Sequence, residues 1–157
     1  MIQAPLTDIG NTVKADLANA SATAAGAAIA TVAGATEDGV EVEGETIDMR
    51  GYQSLKLCIP WLASLADAET FSLTVKEQQS SDDSAWDTAT TTLALEVQAT
   101  SSGGTNENGC REISIDCSGK KRYVRYNITP TLSAGSTDLA VWAAVAVKGG
   151  AEALPAT

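Results

Sequence analysis

From Val40 to Val147, one short segment after another carries apolar residues on every second position. Phe71, Leu73 and Val75 alternate with Ser72, Thr74 and Lys76, and Ile113 and Ile115 alternate with Glu112, Ser114 and Asp116. Leu93, Leu95 and Val97 follow the same rule. Side chains of a strand point to opposite faces in turn, so each such segment has one oily and one wet face. Several of them in series, separated by turn residues, predict an all-β chain folded as an antiparallel β-sandwich of jelly-roll type.

Composition shifts near residue 36, which predicts three parts. Residues 1–36 form an Ala-rich N-terminal arm or short helix, 37–150 the sandwich, and 151–157 a C-terminal tail. In the arm, Leu6, Ile9, Val13 and Leu17 are spaced three, four and four apart. That spacing is a helical seam and predicts a helix over Asp8–Ala20. The rival reading is an extended segment ordered only against a neighbour. Neither version has enough bulky residues for a core of its own, so Ile2, Pro5, Leu6, Ile9, Val13 and Leu17 are candidate interface residues. Trp142 joins them, because both faces of Asp138–Lys148 are apolar and the strand is either central or covered by a partner.

Further strands are expected at Leu55–Trp61, ending near Pro60, and at Thr91–Gln98. Ser101–Gly109 reads as a polar loop, with Asn108-Gly109 as a turn signal. Arg111–Cys117 and Tyr123–Pro130 read as a hairpin turned at Ser118-Gly119-Lys120.

The chain has no histidine, and its three cysteines, Cys58, Cys110 and Cys117, contain no CxxC pair. Those facts argue against a metal site and leave three reduced, mostly buried thiols. No cofactor motif is present, and no enzymatic activity is expected. Asp82, Asp83 and Asp87 lie among serines, where aspartate serves the backbone of a turn. A formal charge of −10 opposes nucleic-acid and anionic-membrane partners. Lys120, Lys121, Arg122 and Arg125, interleaved with Tyr123 and Tyr126, are therefore expected to neutralise acids on neighbouring strands, with Tyr126 in the core. The acidic run Glu37–Asp48 reads as a solvated strand face rather than a calcium loop. Trp61, Trp86 and Trp142 are candidates for sugar contacts, with a core role expected for at least two.

The stretches Glu45-Thr46-Ile47-Asp48-Met49-Arg50-Gly51-Tyr52, Phe71-Ser72-Leu73-Thr74-Val75 and Gly119-Lys120-Lys121-Arg122-Tyr123-Val124-Arg125, in that order, resemble small virion proteins of tailed bacteriophages. The resemblance covers residues 40–148 and leaves the leader unmatched. It implies a capsid decoration (cement) protein on the capsid exterior, made in the host cytoplasm, with the major capsid protein and its own copies, as a homotrimer, for partners. Neck, tail or fibre components, and a glycan-binding module, are the alternatives that share such a fold.

Overall fold

The computed structural model describes residues 14–17, 30–33, 38–134 and 137–151. Among the described residues ten antiparallel strands form two sheets: β1 (Lys14–Leu17), β2 (Ala30–Ala33), β3 (Ile47–Asp48), β4 (Tyr52–Ser64), β5 (Thr70–Ser80), β6 (Thr90–Thr100), β7 (Asn106–Asp116), β8 (Tyr123–Leu132), β9 (Leu139–Trp142) and β10 (Val145–Ala151). In the first sheet β4 pairs with β7 along one side and with both β10 and β9 along the other. Outside these, β1 pairs with β10 and β2 with β9. The second sheet runs β3-β8-β5-β6.

Because β1 and β2 occupy one row, and β9 and β10 another, the described strands make eight rows. Counted along the chain, one sheet reads first, eighth, third, sixth, and the other second, seventh, fourth, fifth. Each pair (first with eighth, second with seventh, third with sixth, fourth with fifth) is antiparallel. A long ribbon of paired strands rolled into two layers gives this order, which is the jelly roll. The expected fold is present.

The alternation decides what the layers bury. Leu55, Leu57 and Ile59 of β4 face Phe71, Leu73 and Val75 of β5 and Val124, Tyr126 and Ile128 of β8 in a shared core. Ala140, Ala144 and Ala146 line the same interior. Small side chains there let the two layers close around Trp142, the largest fully buried residue.

Four expectations are corrected. Over Lys14–Leu17 the expected helix is strand β1; the rest of Asp8–Ala20 lies outside the described residues. The edge of β10 offers unpaired donors and acceptors, and tertiary pairing there outweighs a weak local helical spacing. Second, β4 does not stop at Pro60. The Pro60 carbonyl accepts the Ala143 N–H at 3.1 Å. On an extended residue the N–H points to the same side as the carbonyl. The missing donor therefore faces the break between β9 and β10, where a proline costs little.

Third, Arg111–Cys117 and Tyr123–Pro130 are not a hairpin. β7 pairs with β4 in one sheet and β8 with β5 in the other, so Ser118–Arg122 crosses between the layers. Fourth, Asn106–Gly109 belongs to β7 rather than to a loop. Gly109 is needed there for its lack of a side chain: a Cβ would stand 2.7 Å from Trp61 Cζ2. Trp61 in turn packs at 5.6 Å on the ring of Phe71.

Candidate interaction surface

The two outer faces of the sandwich differ in chemistry. On the β8–β5 sheet the acidic run lies beside the basic strand, joined through a bridge between Val42 and Ile128. Glu41 accepts from Lys76 Nζ at 2.7 Å, and Glu43 pairs with Arg125. Asp48 takes Arg122 through both oxygens, at 3.0 and 2.6 Å, and Lys121 reaches Asp87 at 2.6 Å. Arg122 and the Arg50 backbone N–H hold the Asp48 carboxyl below the usual carboxylate range. Lys76 and Asn127 do the same for Glu41. All four cations of the basic stretch, counting Lys120 on Glu77 at 2.6 Å, are thus committed to acids within the chain, as expected. Val40 departs from the strand reading of the acidic run: it is exposed, while Val42 packs on the core.

Asp82, the first of the turn acids, accepts the backbone N–H groups of Ser84 and Ala85 at 3.0 and 2.9 Å. Those bonds lower its pKa. Asp83 accepts from Thr46 Oγ1 at 2.7 Å. The three aspartates therefore shape and anchor the turn rather than converge on a ligand.

The β7–β4–β9/β10 sheet has a different outer face. Its outward positions include Cys58, Pro60 and Leu62 on β4, Leu139 and Val141 on β9, and Val145 and Val147 on β10. Leu62 lies directly across from Val141, Ser64 from Leu139 and Cys58 from Val145. Leu62 is 51% exposed and Leu139 40%. A polar rim follows on β7, with Asn108, Glu112, Ser114 and Asp116. Lys56 and Glu112 pair across it at 2.5 Å. A shallow groove of about 580 Å³ runs between Ser54, Lys56, Ser114, Asp116, Val147 and Gly149. An apolar stripe with a polar rim is the anatomy of a protein-binding patch, not of a site that orients a polar substrate. A second apolar area lies on edge strand β6, at Leu95 and Val97, which are 64% and 54% exposed. Three register irregularities against β5 kink that edge. Such bulges discourage strand addition.

Of the residues singled out as interface candidates, Ile2, Pro5, Leu6, Ile9 and Val13 lie outside the described residues. Leu17 closes β1 opposite Val145, at the margin of the apolar stripe. Trp142 is 1% exposed and belongs to the core. The alternation in its segment predicts two apolar faces, and both are present, but it does not say which faces inward. Leu62 and Val141, on the opposite face, were missed. The signal for them was present in Pro60-Trp61-Leu62, where both parities of β4 turn apolar.

The tryptophans are spread over the fold, with Trp142 buried in the core. Trp61 is wedged between Gly109 and Phe71, and the Arg125 guanidinium lies 4.3 Å above the Trp86 ring. The three thiols are free: Cys117 is buried, Cys58 half-buried and Cys110 exposed. Cys110 thus departs from the buried state expected of it, because it sits on the outward side of edge strand β7, opposite Pro60.

No protein-family model matches the chain, and no curated protein matches it. Among solved structures it is similar to the infectious bursal disease virus Gx strain, at 15% identity and a TM-score of 0.47, covering 91% of this chain and 35% of that one. A VP2 subviral particle of the same virus gives 12% identity and a TM-score of 0.46, covering 87% and 32%. A xylan-binding module gives 14% identity and a TM-score of 0.40, covering 94% and 96%. The chain spans about a third of the viral chains it matches. Its structural neighbours are thus viral capsid proteins and a carbohydrate-binding module, and neither family nor function follows from likenesses of this size.

Proposed function

We propose that this chain is a structural virion protein of a tailed bacteriophage, a decoration protein that binds and stabilises the major capsid shell from outside. Its partners in this reading are the major capsid protein and further copies of itself. It works by adhesion and performs no catalysis. The observation that carries the reading is the apolar stripe Leu62, Leu139, Val141 on the outside of a two-layer block whose core is already filled. Such a stripe gains from being covered by another protein surface, at roughly 25 cal/mol per Å² of apolar area removed from water. The sequence resemblance of residues 40–148 to phage head proteins points the same way. The opposite face, whose cations are already paired with acids of the chain, offers less to a nucleic acid.

The test is cosedimentation of the purified chain with isolated expanded capsids. Saturable binding at a stoichiometry set by the shell's symmetry is expected. A chain lacking residues 1–13, which precede β1, should fold and bind less tightly if the leader takes part. Absence of binding at any concentration overturns the proposal.

A further inference from the structure

We propose that the surface seated on the apolar stripe of the β7–β4–β9/β10 sheet is the same stripe of a second copy, the two chains packing face to face about a two-fold axis. This rests on the adhesive reading of that face: of the two partners proposed, the stripe takes the second copy, and the capsid is left to the surfaces that the pair still exposes.

Area is the first argument. Four strand rows about 4.8 Å apart, crossed by the 13 residues of β4 at about 3.3 Å each, make a face of roughly 800 Å². A stable interface needs about that much from each partner. Charge is the second. Two chains of net −10 repel unless they meet where charge is absent. Among the described outward positions of this sheet the only charged side chains are Lys56, Glu112 and Asp116, and the first two pair with each other. The face is therefore close to neutral in a strongly acidic protein, and a copy of itself is a partner it does not repel.

Symmetry is the third argument. The outer faces of the two sheets point in opposite directions, so a head-to-tail contact between them makes an open stack rather than a closed assembly. The other outer face also carries the ion-pair grid. One self-complementary stripe closes a pair by itself, with sheets packed about 10 Å apart. That differs from the trimer implied by the resemblance, because a three-fold ring needs two different surfaces on each copy.

Sedimentation velocity of the full chain over a dilution series tests this, alongside Leu62→Glu and the edge-strand control Leu95→Glu. The expected result is a dimer in the wild type and in Leu95→Glu, with self-association at least about tenfold weaker in Leu62→Glu and far-ultraviolet circular dichroism unchanged in all three. A wild type that is monomeric throughout, a trimer, or a dimer indifferent to Leu62→Glu overturns the proposal. Should Leu62→Glu fail to fold, labelling of Cys110 in the wild type decides. Cys110 lies on the same face, so its rate should fall as protein concentration rises, and a rate independent of concentration overturns the pairing. Capsid cosedimentation is read separately. A monomer that saturates capsids overturns the pairing and leaves the virion function standing, whereas a dimer that ignores capsids supports the pairing and removes that function.

Discussion

Inside the sandwich, the Tyr126 hydroxyl donates to Glu77 Oε2 at 3.0 Å, joining β8 to β5 through a carboxylate that is 4% exposed. Lys120 Nζ and Gln79 Nε2 occupy the other oxygen at 2.6 and 2.8 Å. Burial, with Glu77 next, raises the Tyr126 pKa, so the phenol keeps its proton and remains a donor. Tyr126→Phe should cost about 1.5–3 kcal/mol, the worth of a hydrogen bond to a charged group. Glu77→Ala should cost more, about 3–5 kcal/mol, since it strands Lys120 and the phenol together. Urea denaturation measures both, and a Tyr126→Phe midpoint equal to the wild type would show that the bond is idle.

Gly109 and Trp61 make a second sensitive contact. The methyl of Gly109→Ala would stand 2.7 Å from Trp61 Cζ2, so the indole has to move. Overpacking of this kind should cost about 1–3 kcal/mol. Tryptophan emission should shift as Trp61 leaves Phe71. Unchanged emission and stability together would mean that the edge strand gives way instead.

The thiols should react in a fixed order in dilute protein: Cys110 first, Cys58 next and Cys117 last. Burial pushes the Cys117 thiol up to about 11. Burial, followed by the neighbouring Cys110, also raises Cys58. A thiol whose pKa rises on folding favours the folded state fully below its ordinary value of 9.0, and that contribution is lost as pH climbs through about 11. Alkylation followed by peptide mass spectrometry reads the order, and early modification of Cys117 would contradict its burial.

Acid should act through the pairs on the opposite face. The Asp48 pKa is depressed by Arg122, so its contribution is complete above the ordinary carboxylate value of 3.8 and disappears as pH falls through the folded value. Arg122→Ala should therefore be less stable than the wild type at neutral pH, with the gap closing in acid. Thermal melts of the two proteins across that range test it. A gap that persists once carboxylates are protonated would point to lost packing on Tyr123, whose ring lies 4.7 Å below the guanidinium.

Most strand parities were legible because burial is written into alternation: Phe71, Leu73 and Val75 point inward, and Tyr126 falls in the core with Val124 and Ile128. On β6 the alternation of Leu93, Leu95 and Val97 misled, because register irregularities against β5 leave Leu95 and Val97 exposed while Leu93 packs on the core. Partner choice was not. Alternation fixes a strand's faces and is silent on its neighbours, so β7 and β8, adjacent in sequence, were joined although the roll sends them to different sheets. Pro60 and Gly109 misled for a shared reason. Each is a punctuation residue by local rules, yet each sits mid-strand where the group it lacks is not wanted: the missing Pro60 N–H faces the break between β9 and β10, and the missing Gly109 Cβ leaves room for the Trp61 ring. The apolar outer face was half legible, since doubly apolar segments were visible at Pro60-Trp61-Leu62 and at Leu139–Val147 while their orientation depended on the tertiary fold.

The ladder from Lys14 with Lys148 to Leu17 with Val145 ties the first described strand of the fold to its last. While the ribosome still holds the last strands, β4 lacks the row that covers one of its sides, and the opening strands have nothing to zip onto. Folding of the block must then wait until β10 has been made, so a message truncated before Val145 yields no partial block but a chain with an open seam, exposed to degradation.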